Sequence, residues 1–287
     1  MSWTFEPQFD AAHRAALESG KSLIYVCPPA PWAVRPLLDH LAPRSGDGIR
    51  TLVLAPDTSE ALQLLTEASP VESLSPTHAV TGLARTSKCL KAGGFKTLIA
   101  APSDAMRLVT RSSLRLESID QIVVCWPEAH IDLNHGAILD ELLGECGGAQ
   151  RLIATADETS IGDFLERHAR RAPVLAAARP PEVPGQAVRY AIAPAYRVAA
   201  AVRAALDAQS PASAFVWDPS PLLHHRWMDY RADPTVRVGS DPGSDPVDLA
   251  IAVELPTAEA LTAIRAITHD VIVLVRPRQL GYLGSLV

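Results

Sequence analysis

The sequence contains no long apolar run, no leader-like pattern in its opening residues and no excess of basic residues. Among its 287 residues, no apolar run approaches the roughly 18 residues of a membrane span, and no cationic segment with an apolar core opens the chain. The formal net charge of −6 disfavours broad nucleic-acid binding, because phosphate neutralisation needs a basic surface. Since 48% of the residues are apolar, the chain can bury a core, and we expect a cytoplasmic globular protein without a membrane span.

The cysteines form no disulfide or metal-binding pattern. Four are scattered along the chain without C-x-x-C spacing: Cys27, Cys89, Cys125 and Cys146. Cysteines scattered in this way are usually reduced, buried thiols of a cytoplasmic protein.

Short apolar runs alternate with helical patterns along residues 1–178. Strands are predicted near 22–26, 51–55, 77–80, 97–101, 121–125 and 151–154. Helices are predicted between them, including 9–19, 34–41, 58–67, 103–111 and 136–143. Strands rich in Val, Ile and Leu and separated by helices are typical of a parallel α/β sheet that is buried on both faces.

A proline-rich segment divides the chain. Residues 179–186 contain three prolines and a glycine, which cannot continue a helix or a central strand, so we interpret them as a linker. The alternating pattern then resumes, with predicted strands at 188–192, 213–217, 248–253 and 271–275 and helices at 196–208 and 257–267. Residues 1–178 and 187–287 are therefore predicted to be separate α/β domains.

The turn after the first strand looks like a phosphate-binding loop without its phosphate chemistry. A P-loop presents backbone N–H groups and a lysine to phosphates. The corner segment, residues 27–34, instead contains Pro28, Pro29 and Pro31, which have no N–H to donate. Its last two residues, Ala33 and Val34, cannot replace a lysine and a hydroxyl residue. The segment predicts a lost nucleotide site.

Several segments resemble motifs of DEAD-box RNA helicases, in the order in which the family carries them. They are Glu6-Pro7-Gln8 (the adenine-reading glutamine), 51–58 (L-V-L-A-P-T-R), 80–82 (the glycine doublet), 97–104 (I-L-V-A-T-P-G-R), 122–130 (the strand ending in D-E-A-D) and 151–157 (the strand ending in S-A-T). In the second domain, 247–256 resembles V-D-L-V-I-N-Y-D-L-P. The resemblance implies a parallel RecA-like (P-loop NTPase-like) sheet sandwiched by helices, followed by a second, truncated RecA-like domain.

The resemblance also locates the vestigial ATP-site positions. They are Gln8, Pro29, Trp32, Ala33, Val34, Pro127 and Glu128. Proline replaces the magnesium-binding aspartate of D-E-A-D, and the arginine-rich stretch of the second domain is absent. Because catalysis of phosphoryl transfer depends on positioning and charge stabilisation, we expect neither ATPase nor helicase activity and no cofactor. Two tryptophans, Trp32 and Trp126, are expected to fill the vacated cleft.

A possible metal site follows the D-E-A-D position. Four candidate ligands lie close together in the sequence: Glu128, His130, Asp132 and His135. Their spacing matches no known metal motif, and the segment is predicted to be a loop, so no metal is expected.

A basic stretch runs against the acidic net charge. Its candidate contacts with RNA or with a protein partner are Arg85, Lys88, Lys91, Arg107, Arg111 and Arg115. Two carboxylates, Asp57 and Asp104, lie where the family contacts RNA and would repel phosphate. We therefore expect a non-enzymatic accessory or scaffold subunit with protein partners in a larger assembly. The alternative is an ATP-independent RNA-binding factor that uses the 85–115 stretch.

Overall fold

The chain divides into two compact units. The structure, a computed structural model, describes residues 9, 11–176, 188–220, 227, 233 and 235–286. The division falls between Ala178 and Arg179, and we call the described residues on its two sides the first and the second unit. The predicted linker, 179–186, and Gln8 lie outside the described residues.

The first unit is built on a seven-stranded parallel sheet. Its strands are β1 (Leu23–Val26), β2 (Thr51–Leu54), β3 (Thr77–Ala79), β4 (Thr97–Ala100), β5 (Gln121–Cys125), β6 (Gln150–Thr155) and β7 (Val174–Ala176). Their order is β3-β4-β2-β5-β6-β1-β7, and every neighbouring pair is parallel. The predicted parallel arrangement is confirmed. Sequence analysis missed β7, a three-residue strand at the edge of the sheet.

Eight α-helices accompany these strands in the described part of the first unit. They are α1 (Ala11–Glu18), α2 (Arg35–Asp39), α3 (Thr58–Ala68), α4 (Leu83–Ala92), α5 (Pro102–Thr110), α6 (Pro127–Asp132), α7 (Gly136–Glu145) and α8 (Gly162–His168). The loop predicted for 128–135 is wrong, because α6 occupies most of it. Proline at the first helical position favours such a start, since its fixed φ suits a helix and its missing N–H would have no partner there.

The core of the first unit lies on both faces of its sheet. Every residue of β2, β4 and β5 is buried, as expected for central parallel strands covered by helices. At the amino ends of β2 and β5, Arg50 donates from Nε and Nη2 to the two carboxylate oxygens of Asp120, at 2.8 Å each. This bidentate pair ties the two strands together at that edge.

The second unit has a five-stranded parallel sheet. Its elements are β8 (Arg189–Ile192), α9 (Val198–Gln209), β9 (Ala214–Trp217), β10 (Val236–Gly239), β11 (Leu249–Ala252), α10 (Ala258–Ile267), β12 (Val271–Val275) and α11 (Leu280–Leu286). The strand order is β10-β9-β11-β12-β8. Sequence analysis missed β10, a half-buried edge strand with an arginine in its middle.

Two buried polar contacts lie at the carboxyl ends of these strands. Arg276, which follows β12, donates from Nη1 to Oε2 of Glu254, which follows β11, at 3.0 Å. The indole Nε1 of Trp227 donates to Oδ2 of Asp218 at 2.6 Å. All four side chains are buried, and Oδ1 of Asp218 also accepts from the N–H of Ser220 at 2.9 Å, so these contacts offset part of the cost of burying each carboxylate.

No helix in the described part of the chain is both long and apolar enough to cross a membrane.

Candidate functional site

The corner segment is packed into the protein. Residues 31–34 form a 3₁₀ turn that leads into α2 and packs against α3. Both Ala33 and Val34 have no exposed surface, and Pro28 and Pro29 are also buried. A lysine and a hydroxyl group in place of these two small apolar residues would point into the core rather than toward a ligand.

Backbone N–H groups of the corner segment donate within the protein. Cys27 donates to the carbonyl of Thr155 at 2.9 Å, and Ala30 donates to the carbonyl of Pro28 at 2.8 Å. Within the turn, Ala33 donates to the carbonyl of Ala30 at 2.9 Å. Together with three prolines, these bonds leave the segment few donors for a phosphate.

The charges around the corner segment are also engaged or neutral. Burial raises the pKa of the Cys27 thiol well above its ordinary value, and the nearby Cys125 and Glu128 raise it further. The next cation in the chain, Arg35, donates from Nε to Asp39 at 2.7 Å and from Nη1 to the carbonyl of Glu67 at 3.2 Å. The corner segment therefore presents neither a thiolate nor a lysine.

Glu128 connects α6 to the end of β6. One carboxylate oxygen, Oε1, accepts from the N–H of Ala156 at 2.8 Å, and the other, Oε2, accepts from the hydroxyl of Thr155 at 3.1 Å. Both partners belong to the segment that resembles S-A-T. Sequence analysis used this segment only to support the family resemblance and did not predict its contact with Glu128. The one feature that could have indicated the contact is a threonine, Thr155, at the end of a buried strand.

Replacing Glu128 tests this structural contact. In Glu128→Ala, the Ala156 amide loses the acceptor shown for it and the Thr155 hydroxyl keeps only the carbonyl of Asp157, so the free energy of unfolding should fall by about 1–3 kcal/mol. Glu128→Gln keeps a carbonyl acceptor and should lose less than half as much. Hydrogen exchange of residues 150–157 measures both. The control is Asp132→Ala, an exposed carboxylate on the same helix, and equal losses in all three variants would contradict the assigned contact.

The two tryptophans expected to fill the vacated cleft differ in their exposure. Trp126 has no exposed surface and adopts left-handed backbone angles (φ 56°, ψ 71°), and its N–H donates to the carbonyl of Ala154 at 2.7 Å. For a bulky residue, the left-handed region of backbone angles costs on the order of 1–3 kcal/mol in conformational strain. Trp32 is half-buried. Trp126 therefore lies in the core beside β6, whereas Trp32 keeps contact with solvent.

The six basic candidates are all exposed, and most lie on two neighbouring helices. Arg85, Lys88 and Lys91 are spaced by three along α4, which packs beside α5. Arg107 and Arg111 lie at the end of α5. We call these five residues and Arg115, which precedes β5, the basic face.

The basic face affects a neighbouring histidine. Burial of the imidazole, and secondarily the charge of Arg85, lower the pKa of His78. Its Nε2 lies 3.1 Å from the hydroxyl of Thr86. This histidine is therefore mostly neutral at pH 7, and it adds no charge to the face.

The two carboxylates that sequence analysis placed near RNA contacts have structural partners. Asp57 caps α3 by accepting from the N–H of Glu60 at 2.9 Å. Asp104 lies in the first turn of α5, 3.8 Å from the guanidinium of Arg107. Among the described residues, no group of three or more candidate ligands is positioned to hold a metal ion.

No protein-family model and no curated protein sequence matches the chain. Among solved structures, it is similar to a DEAD-box protein from Methanococcus jannaschii, with a TM-score of 0.52 and 12% identity over 94% of this chain and 86% of that one. It is also similar to the yeast DEAD-box splicing factor Prp28 (TM-score 0.48, 14% identity, 89% and 73% covered). Prp28 from Chaetomium thermophilum bound to ADP gives a TM-score of 0.45 at 17% identity, with 96% and 80% covered.

The fold class follows from these findings. Two parallel sheets with helices, and the similarity to the Methanococcus jannaschii protein, give the chain a RecA-like α/β fold with two domains, as in DEAD-box proteins. At this level of identity the comparison concerns the fold alone.

Proposed function

We propose that the protein is a degenerate relative of DEAD-box helicases, with a shortened second domain, that serves as a non-enzymatic accessory or scaffold subunit. One observation carries the proposal: the corner segment, where such a fold would bind triphosphate, is filled by buried apolar side chains and its amides donate within the chain. With few amide donors and no cation, it offers triphosphate little binding energy.

The remaining acidic residue of the site supports the same conclusion. Both carboxylate oxygens of Glu128 accept hydrogen bonds from the end of β6. A base that positions water needs an oxygen directed at that water. These contacts support a structural role for Glu128, and we infer that a fold of this size without chemistry serves by the surfaces that it presents to protein partners.

A nucleotide-binding measurement tests the loss of the ATP site. Isothermal titration of the full chain with ADP and with Mg·ATP should give no saturable binding that depends on the corner segment. Val34→Asp buries a carboxylate in the corner segment and destabilises the first unit, but the protein that stays folded should bind nucleotides with unchanged affinity. Nucleotide binding that this variant abolishes while the protein stays folded would overturn the proposal.

RNA binding by the basic face is the second candidate function. The observation that favours it is the exposure of all six cations on adjoining elements, in a protein whose overall charge is negative. Phosphate contacts made by such a face depend steeply on salt, because each releases counterions. Contacts with a protein partner through packed apolar surface depend on salt far less.

A pull-down from native lysate, with and without RNase, separates the two functions. The scaffold proposal predicts that partners remain after RNase treatment and at raised salt. Arg107→Glu with Arg111→Glu should then leave the captured proteins unchanged. The matched control for net charge is Lys21→Glu with Arg170→Glu, two exposed cations away from the basic face. Capture that RNase and the first pair of substitutions abolish, but the control pair does not, would favour RNA binding.

A further inference from the structure

A cleft of about 360 Å³ opens in the first unit beside the amino ends of strands β2, β4 and β5. Its walls come from the segments that precede these strands and from the end of α4, within residues 47–49, 90–95 and 112–118. The volume falls within the range of small-molecule sites. The corner segment follows the carboxyl end of β1 in the same parallel sheet. The cleft therefore lies at the amino ends of the strands, on the side of the sheet away from the corner segment.

One side of the cleft is apolar. Ile49 and Leu114 are buried there, and Leu90 and Phe95 are half-buried. The ring of Phe95 is held by a tilted contact with His78, with the ring centroids 5.0 Å apart. An apolar wall with one fixed aromatic ring suits a flat, weakly polar body such as a nucleobase.

The polar side of the cleft carries charges of both signs. Lys91 and Arg115 line it, and among the described residues neither has an ion-pair partner. The side chain of Asp47, which is exposed, contributes a carboxylate to the lining of the same cleft. Two cations match a phosphate, whereas a carboxylate accepts hydrogen bonds from the hydroxyls of a ribose.

The helix ends at the cleft do not oppose an anion as strongly as free carbonyl groups would. At the end of α5, the carbonyl of Leu108 accepts from the N–H groups of Ser113 and Leu114, and the carbonyl of Val109 accepts from Ser112. At the end of α4, the carbonyl of Leu90 accepts from Gly93. These bonds engage carbonyl groups that carry the negative end of each helix dipole.

We propose that this cleft binds a ribonucleoside monophosphate, either free or as the 5′-phosphorylated end of an RNA. Lys91 and Arg115 hold the phosphate, Asp47 accepts from the ribose hydroxyls, and the base packs against Phe95. The site is separate from the corner segment and needs no phosphoryl transfer. It therefore does not rest on the scaffold function, and it shares Lys91 and Arg115 with the basic face of the second candidate function.

Calorimetric titration of the full chain with AMP, GMP, CMP and UMP tests the site. At least one nucleotide should bind with a stoichiometry of one, and Lys91→Met and Arg115→Met should each weaken it about tenfold, the scale of a lost charge-assisted contact. Lys88→Met removes an exposed cation one turn away on α4, outside the cleft, and should leave the affinity unchanged. Equal weakening by all three substitutions, or no binding at millimolar nucleotide, overturns the proposal.

Two further substitutions test the contacts proposed for the base and for the ribose. Phe95→Leu should weaken the nucleotide more than inorganic phosphate, and Asp47→Asn should reduce the preference for a ribonucleotide over its deoxy form. Inorganic phosphate that binds as tightly as the nucleotides would contradict the assigned base contact. A 5′-phosphorylated RNA tetramer that competes, when its 5′-hydroxyl form does not, identifies an RNA end as the source. Nucleotide binding that survives Lys91→Met and Arg115→Met would lie elsewhere and overturn this site.

Discussion

Arg276→Met is expected to destabilise the second unit by about 3–5 kcal/mol, the usual cost of removing one member of a buried ion pair. The side chains of Arg276 and Glu254 are only 8% and 6% exposed, and they link the ends of β12 and β11. Methionine has a similar reach and fills most of the space, so the loss reflects charge rather than a cavity. Hydrogen exchange of the β11 and β12 amides measures this loss within the second unit and does not assume that both units unfold together.

The controls for this prediction separate burial from pairing. Glu254→Leu combined with Arg276→Met removes both charges and should recover most of the stability, because apolar replacements of buried pairs are often neutral. Arg189→Met breaks the ion pair with Asp270, whose members are 46% and 43% exposed, and should cost no more than about 1 kcal/mol. A double variant as unstable as Arg276→Met alone would show that packing, not charge, dominates at this position.

The strands that sequence predicted well are those with strong local patterns. Central strands such as β2 and β5 are largely continuous apolar runs that begin after polar residues, so their existence and parallel direction follow from burial on both faces. The missed strands, β7 and β10, are short edge strands whose residues are partly exposed. The first is only three residues long and the second has an arginine in its middle, so neither has a strong strand pattern, and pairing with a neighbouring strand defines them.

The helix α6 was missed for a different reason. Its segment, Pro127–Asp132, is too short for a helical period to be visible, and it follows a tryptophan in a left-handed conformation that tertiary packing imposes. Similarly, the contact of Glu128 with Thr155 joins residues 27 positions apart. Long-range polar contacts of this kind depend on the sheet order, which one sequence does not specify.

The cleft at the amino ends of the strands was outside the reach of motif reasoning. Its residues come from three loops and from the end of α4, and none of these segments resembles a binding motif. Sequence analysis did single out Lys91 and Arg115, but as parts of a basic stretch. Only the fold shows that these two cations line the same concave surface as Asp47 and Phe95. It also shows that Lys88 does not line that surface.

Ala33→Lys should destabilise the first unit by about 4 kcal/mol or more and should confer no nucleotide binding. Ala33 has no exposed surface, so a lysine there must either bury an unpaired ammonium group or displace the turn from α3. The combined variant Ala33→Lys with Val34→Thr restores the residue types of a phosphate-binding loop. It should still fail to bind Mg·ATP, because the prolines and the internal hydrogen bonds of the turn remain.

Ala15→Lys is the matched control, since it places the same side chain on the exposed face of α1 in the same unit. Surface substitutions of this kind are usually within about 0.5 kcal/mol of neutral. Stability follows from hydrogen exchange of β1 and β6, and binding from titration with Mg·ATP in a background of Lys91→Met with Arg115→Met, which removes both cations of the cleft. If the combined variant bound Mg·ATP, the backbone of the corner segment would be competent for phosphate, and side-chain identity alone would account for the predicted loss. If it is inert, the loss resides in the backbone and in the packing of the turn, which two substitutions cannot reverse.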